Sequence, residues 1–159
     1  MIYFGYLTST HGLKGELKLY TDFSLQKQVL TKGFTLYIHE SPFEIHSIRF
    51  HQNHYLVSFE GLEDINFVEN LRHQKVYIQK EDLSLKEDEV LLEELPGFKV
   101  KEGEELLGKV IQIVYNKGGV LLKVKNDGIF YIPYRKEFIL KIIAEDQTIL
   151  VKQAKGLII

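Results

Sequence analysis

The chain has 159 residues, of which 45% are hydrophobic and 26% are charged, with a formal net charge of −2 and no cysteine. This composition is typical of a folded globular protein; it excludes a disulfide scaffold and a thiolate metal centre, and the near-zero charge excludes binding to naked duplex nucleic acid by charge alone. The absence of an apolar run of about 18 residues and of a secretory leader leads us to expect a cytoplasmic protein without a membrane partner.

The first half of the chain alternates between apolar and polar residues, which is typical of strands with one buried face. This alternation predicts strands over residues 16–19, 35–38, 43–48 and 55–59. Apolar residues recur every three positions between residues 64 and 71, which predicts a single short helix, with Asp64 placed to cap its N-terminus.

An acidic run divides the chain. Residues 81–94 hold seven acidic residues and one lysine, whereas residues 1–80 are neutral and residues 95–159 have a net charge of +4. The like charges of Glu87, Asp88 and Glu89 favour an exposed joint, with a boundary near residue 88. We therefore predict a first domain over residues 1–84, an acidic linker over 85–94 and a second domain over 95–159.

The second half again reads as strands joined by tight turns. Strands are predicted over residues 98–101, 108–115, 120–124, 129–132, 138–143 and 148–151. The Asn and Gly residues at 116–119 and 126–128 are strong hairpin signals, and Pro133 must lie at a strand end because it has no N–H to donate. The predicted fold class is all-β, with two small β-barrels and one short helix in the first.

The sequence gives little support to catalysis or metal binding. It lacks a nucleophile elbow, a phosphate-binding Gly-rich loop and a dinucleotide fingerprint, so we expect no enzyme activity and no cofactor. All six histidines lie in the first half, but His51 and His54 fall in a polar stretch that favours a turn between two strands, and His39 and His46 are interpreted as solvent-facing strand residues. We therefore expect no metal site.

Candidate binding residues cluster at two places. Between residues 5 and 20, Gly12 and Gly15 bracket a turn that would hold His11 and Lys14 at a sheet edge, with Lys18, Tyr6 and Tyr20 close in sequence. Cations beside aromatic rings suit RNA, through phosphate contacts and stacking, although a solvated strand face with tyrosines in the core explains the same pattern.

The second cluster is Tyr134, Arg135 and Lys136, which follow Pro133. An exposed Arg-Lys pair beside an aromatic ring suits phosphate or an acidic protein patch. An ordinary charged loop is the alternative.

Several motifs resemble the bacterial ribosome maturation factor RimM family. The family's opening is Gly-x-Ile followed by a His-Gly-Ile/Leu-x-Gly-Glu-Val/Leu turn, and the chain matches it at Gly5, His11, Gly12, Leu13, Gly15, Glu16 and Leu17. Residues 61–71, 76–78 and 81–83 are similar to its short helix, closing strand and exit, and residues 95–100, 107–110 and 132–134 are similar to a PRC barrel. The resemblance covers nearly the whole chain.

The resemblance implies a translation-factor-like N-terminal barrel followed by a PRC barrel. It also implies binding to the immature, free 30S ribosomal subunit and not to the 70S ribosome, at the head, through small-subunit ribosomal protein number nineteen and nearby 16S rRNA. Such a protein assists 16S rRNA processing and late 30S maturation as an assembly chaperone, by binding energy and without a cofactor. We expect a monomer.

The chain departs from the family at one informative place. The family has a tyrosine pair associated with ribosome attachment where this chain has Val90 and Leu91. These two residues either pack on a partner or tie the joint to the second barrel. Two other hypotheses stay open: a general RNA-binding module of the translation-barrel type without a ribosomal protein partner, and a PRC-barrel scaffold of a non-ribosomal complex.

Overall fold

The structure is a computed structural model that describes residues 1–86 and 89–158. The chain divides into two compact units, Met1–Ser84 and Leu85–Ile159. The boundary predicted near residue 88 and the acidic residues Glu87 and Asp88 lie outside the described residues. The predicted all-β class with two small barrel-like domains is confirmed. Where the chain is described, no helix has the length and apolar character needed to cross a membrane.

The first unit is a closed six-stranded barrel. Its strands are β1 (Ile2–His11), β2 (Glu16–Tyr20), β3 (Thr35–Ile38), β4 (Ser41–His51), β5 (His54–Phe59) and β6 (Lys75–Ile78), paired in the order β1-β2-β5-β4-β3-β6. Leu17 and Leu19 of β2 are fully buried, whereas the residues between and beside them are only partly buried. This period of two matches the predicted pattern and leaves one face of each strand for the core.

Two helices decorate the barrel. The predicted helix is α2 (Ile65–Val68), continued by a 3-10 turn over Glu69–Leu71. Asp64 caps it as predicted, because its carboxylate accepts a hydrogen bond of 2.8 Å from the N–H of Asn66. The other helix, α1 (Gln26–Val29), was not predicted from the sequence.

The second unit is built on a six-stranded sheet. Its strands are β7 (Lys99–Glu102), β8 (Glu105–Asn116), β9 (Gly119–Lys125), β10 (Ile129–Pro133), β11 (Ile139–Ile143) and β12 (Thr148–Val151), in the order β10-β9-β8-β7-β12-β11. β7 and β12 are parallel, and the other neighbouring strands are antiparallel. One face of the sheet carries a core that includes Val100, Val110, Leu122, Val124, Phe130 and Ile149.

The predicted turns of the second unit are confirmed. Asn116 and Gly119 close the β8–β9 hairpin as a directly opposed pair. At the β9–β10 turn, the Asn126 side chain accepts a hydrogen bond of 2.7 Å from the N–H of Gly128. Pro133 is the last residue of β10, where its missing N–H leaves no ladder bond unmade.

Candidate functional site

The turn between β1 and β2 is pressed against the entry to helix α2. Gly12 and Gly15 both have positive φ angles, of 67° and 76°. A Cβ atom on Gly15 would lie 2.2 Å from the carbonyl oxygen of Leu62, whereas one on Gly12 would meet nothing within 4 Å. The N–H of Ile65 also donates to the Leu13 carbonyl over 3.3 Å. Both glycines therefore serve the turn, but only Gly15 is required by a close approach of two backbones.

A continuous line of rings crosses four strands of the barrel. We call it the aromatic row; it consists of Tyr6, Tyr20, His54, His51 and His11. Tyr6 and Tyr20 are stacked, with ring centroids 5.4 Å apart and planes 14° apart. The Tyr20 and His54 centroids are also 5.4 Å apart, and His51 lies 5.6 Å from both His54 and His11. Two of the predicted candidates, His11 and the Tyr6–Tyr20 pair, are thus brought into one surface feature.

His54 is the buried member of the aromatic row. Its side chain is 5% exposed, and its Nε2 atom has no hydrogen-bond partner among the described residues. Burial lowers the pKa of His54, and the nearby charges of Lys18, His51 and His11 lower that pKa further. The imidazole is therefore neutral at pH 7, and it acts in the row as a flat ring between Tyr20 and His51.

Three lysines that form no ion pair among the described residues flank the aromatic row. Lys75 of β6 lies directly opposite Tyr6, and Lys18 lies two residues before Tyr20 on the same face of β2. Lys14 is exposed in the turn. Across the described part of the chain, none of these three ammonium groups forms an ion pair. The aromatic row therefore combines exposed ring faces with lysine charges that no ion pair among the described residues neutralises.

An ion pair at this surface joins Glu16 and Arg49. The Arg49 guanidinium donates two hydrogen bonds, of 3.0 and 3.1 Å, to the two carboxylate oxygens. These hydrogen bonds are the main reason that the pKa of Glu16 is lowered, and the charges of Arg49, His11 and Lys14 lower it further. The bidentate geometry neutralises the carboxylate that would otherwise compete with a phosphate for the neighbouring lysines.

His46 belongs to a separate polar cluster. Its Nδ1 atom lies 3.0 Å from a carboxylate oxygen of Glu60 and 3.6 Å from one of Glu63. Within the described residues this is the one group with three possible metal-ligand atoms within 4.8 Å of one another. Both glutamates are exposed, and the His46–Glu60 hydrogen bond accounts for the arrangement. His46 lies on β4 as expected, whereas His39 lies in the turn after β3.

The second predicted cluster is split by the structure. Tyr134 packs against the core of the second unit, and its pKa is raised by burial and then by Glu93. Arg135 and Lys136 are exposed in the turn after β10, where Arg135 donates to the Gly118 carbonyl over 3.4 Å. Tyr134 is thus half-buried against the core while the two cations are exposed, and the use of these three residues as one binding site stays a prediction.

Val90 and Leu91 lie where the chain enters the second unit. Leu91 is 2% exposed, and Val90 is half-buried against the core of the second unit, to which Leu92 also belongs. The Leu91 N–H donates to the Glu94 carboxylate over 3.2 Å, at the start of the 3-10 helix Leu92–Glu94. Of the two alternatives for this strip, the packing of Val90 and Leu92 favours attachment to the second barrel.

Sequence patterns missed three members of the candidate surface: His51, His54 and Lys75. The two-residue gap between the histidines did indicate a turn, and a two-residue turn places its flanking residues opposite each other. That signal was available for the histidine pair. Nothing in the sequence indicated that Lys75 would pair with Tyr6, since 68 residues separate them.

Two family models match the chain in order. The RimM N-terminal domain matches residues 2–83, and the RimM PRC barrel domain matches residues 92–157. The ribosome maturation factor RimM of Acholeplasma laidlawii is 33% identical over 160 residues, covering 97% of each chain. That of Exiguobacterium sibiricum is 32% identical over 159 residues, covering 96% of this chain and 94% of the relative.

Among solved structures, the solution structure of the N-terminal domain of RimM from Thermus thermophilus covers 53% of this chain and 94% of its own. The two are 19% identical, with a TM-score of 0.46. The assignment to a family rests on the two family models and on the nearly full-length curated relatives. The chain belongs to the RimM family of ribosome maturation factors.

Proposed function

We propose that this protein is a maturation factor that binds the free 30S subunit at its head and assists 16S rRNA processing and late assembly. Its partners are small-subunit ribosomal protein number nineteen and adjacent 16S rRNA. It acts in the cytoplasm as a monomer, by holding the head in a conformation that lets RNA and protein dock. The proposal gives it no covalent step and no cofactor, and family membership supports it at the level of ribosome maturation.

The aromatic row is the observation that supports an RNA contact. Tyr6 is 46% exposed and stacks on Tyr20, so one open ring face is held in a fixed orientation. Unstacked bases bind such faces, while Lys14, Lys18 and Lys75 supply charge for the phosphates. His11, Lys14 and Lys18, which were candidates from the sequence, all lie at or beside this surface. We propose it as the rRNA-contacting surface of the first unit, with Arg135 and Lys136 as candidates in the second.

Sedimentation with purified ribosomal particles tests the proposal. The protein should migrate with 30S particles and not with 70S ribosomes in sucrose gradients, and it should do so at both low and high salt. Salt-sensitive binding to bare 16S rRNA without 30S association would favour the general RNA-binding module instead. Absence from every fraction would reject both.

A matched pair of variants tests the surface itself. Tyr6→Leu removes the open ring of the aromatic row, whereas Phe50→Leu removes an exposed ring that packs edge-on against Tyr55 and is not a member of the row. Loss of one stacked base costs about 1–3 kcal/mol, or roughly 5- to 150-fold in affinity. We expect that loss with Tyr6→Leu and little change with Phe50→Leu. Equal effects from both variants would remove the aromatic row from the proposal.

A further inference from the structure

The exposed face of the second sheet carries a straight line of lysines. Alternation along each strand sends Val100, Val110 and Val124 into the core and Lys99, Lys109 and Lys125 to the opposite, exposed face. The strand register then places Lys99 directly opposite Lys109, and Lys109 directly opposite Lys125. We call these three residues the lysine line.

The lysine line is costly to the free protein. Directly opposed residues on antiparallel strands have Cβ atoms about 4.5–5.5 Å apart, and like charges at that spacing destabilise the sheet. Throughout the described residues, no carboxylate forms an ion pair with any member of the line. On β8, the strand that carries Lys109, the Glu105 carboxylate does form an ion pair with another lysine, Lys155, over 3.4 Å. Three adjacent repelling charges that lack an ion-pair partner among the described residues point to an anion from outside the chain.

The surroundings of the lysine line also suit a bound polyanion. The three lysines border a shallow cavity of about 450 Å³, which Leu106, Gly108 and Asp127 also line. Gly108 lines the cavity with backbone alone, and a Cβ atom at this position would lie 2.6 Å from the Lys125 carbonyl oxygen of the neighbouring strand. One carboxylate, that of Asp127, lies on the rim against three cations.

An aromatic ring lies beside the line on the same face. Tyr131 of β10 is 42% exposed and directly opposes Lys123, which precedes Lys125 by two residues on β9. Lysines that neutralise phosphates next to a ring that stacks on a base are the two elements of binding to single-stranded RNA. An acidic protein surface would use the charges but not the ring.

We propose that the lysine line binds the phosphodiester backbone of single-stranded RNA, giving the second unit an RNA contact of its own. Each lysine neutralises one phosphate and releases its condensed counterions. That this RNA is ribosomal rests on the function proposed above, whereas the phosphate contact does not.

The salt dependence of RNA binding measures the contact directly. The full-length protein is titrated into a fluorescein-labelled, mixed-sequence oligoribonucleotide of about 20 nucleotides, and the dissociation constant is followed by anisotropy from about 50 to 200 mM KCl. The test variant combines Lys99→Gln, Lys109→Gln and Lys125→Gln. Three lost phosphate contacts reduce the slope of log affinity against log salt by about 2. Over this range the wild type should lose about 20-fold more affinity than the variant.

A control of equal charge change separates a local contact from the general field. It combines Lys32→Gln, Lys117→Gln and Lys152→Gln, which are exposed and lie off the lysine line. This control should keep the wild-type slope, and a triple Lys→Arg variant of the line should keep it too, because the charges remain. An equal change of slope in the control and the test variant would overturn the proposal.

Two further measurements test an acidic protein partner and allow for a variant that fails to fold. Labelled poly-L-glutamate is titrated in parallel; if the test variant loses its binding while RNA binding is unchanged, the line accepts an acidic protein surface and the proposal is wrong. If the triple variant fails to fold by circular dichroism, Lys109→Gln alone is used, with an expected slope change of about 0.7. A changed RNA slope without 30S co-sedimentation would leave this inference standing and reject the proposed function.

Discussion

Replacing Gly15 by alanine should damage the first barrel far more than the same change at Gly12. Both residues occupy the β1–β2 turn with similar positive φ angles, so both alanine variants force a side chain into the left-handed backbone region. They differ in what the new methyl group meets. At Gly15 it would lie 2.2 Å from the Leu62 carbonyl oxygen and 2.9 Å from the Asp64 nitrogen, whereas at Gly12 it projects into open space.

The expected losses follow from these two costs. The left-handed conformation costs an alanine about 1–2 kcal/mol, and this is the whole cost at Gly12. At Gly15 the backbone of residues 62–64 must also move, which adds about 1–3 kcal/mol for overpacking. Gly15→Ala should therefore lower the free energy of unfolding by about 2–5 kcal/mol, and Gly12→Ala by about 1–2 kcal/mol. The gap between the variants measures the close approach alone.

Hydrogen exchange followed by mass spectrometry suits this comparison, because a chain of two compact units need not unfold in one step. Peptides from β2 and β6 report opening of the first barrel, and peptides from β9 check that the second unit is intact. Each 1.4 kcal/mol is a tenfold faster exchange, so Gly15→Ala should accelerate the barrel peptides by roughly 30-fold to several thousand-fold. Equal acceleration by Gly12→Ala would refute the reasoning, since the turn would then not be held against residues 62–64.

Three other predictions concern charges. The folded-state pKa of His54 lies below the ordinary 6.5, so acid favours the unfolded chain. Thermal stability should fall as pH is lowered through 6.5, and His54→Phe should remove part of this slope below pH 6.5; an unchanged slope in the variant would contradict the assignment. The Glu16 pKa is lowered from 4.5 by its hydrogen bonds with Arg49, so the stability that this carboxylate contributes is present above pH 4.5 and is lost as pH falls through the lower folded-state pKa. Arg49→Gln should therefore lower thermal stability at pH 7 by an amount that shrinks as pH falls below 4.5, and a difference that stays constant with pH would contradict this assignment. Lys109→Gln should raise the free energy of unfolding by about a few tenths of a kcal/mol in low salt, because it relieves the repulsion of Lys109 by Lys99 and by Lys125. This gain should vanish in about 1 M salt, and a lower free energy of unfolding in low salt would contradict the repulsion.

The limits of sequence-based prediction can be seen in particular elements. Strands β3 and β12 begin and end as predicted, and β3 alternates between partly buried and buried residues as expected. Helix α1 was missed, since four residues show too little periodicity. One of its side chains is held from outside the helix: the Gln26 amide oxygen accepts a hydrogen bond of 2.8 Å from the Tyr55 hydroxyl, 29 residues away. Short elements depend on such tertiary contacts more than on local propensity.

The candidate site was predicted only in part, for a similar reason. Tyr6, Lys18 and Tyr20 were found because they are close in sequence and belong to one hairpin. His54 and Lys75 lie on strands that come much later in the chain, and only strand pairing brings them to this hairpin. Tyr134 shows the converse, since its neighbours Arg135 and Lys136 are exposed while its own ring faces the core.

The sequence by itself determined the all-β class, most strands, both hairpin turns of the second unit and the family, because these follow from local backbone preferences and from motifs in order along the chain. Only the tertiary structure decided which side chains share a surface. Strand order and register depend on the burial of all the strands together. They brought Tyr20 to His54 and aligned Lys99, Lys109 and Lys125 from positions 10 and 16 residues apart. Because a register shift of one residue would turn each lysine into the core, this alignment is a property of the folded sheet and of no single segment.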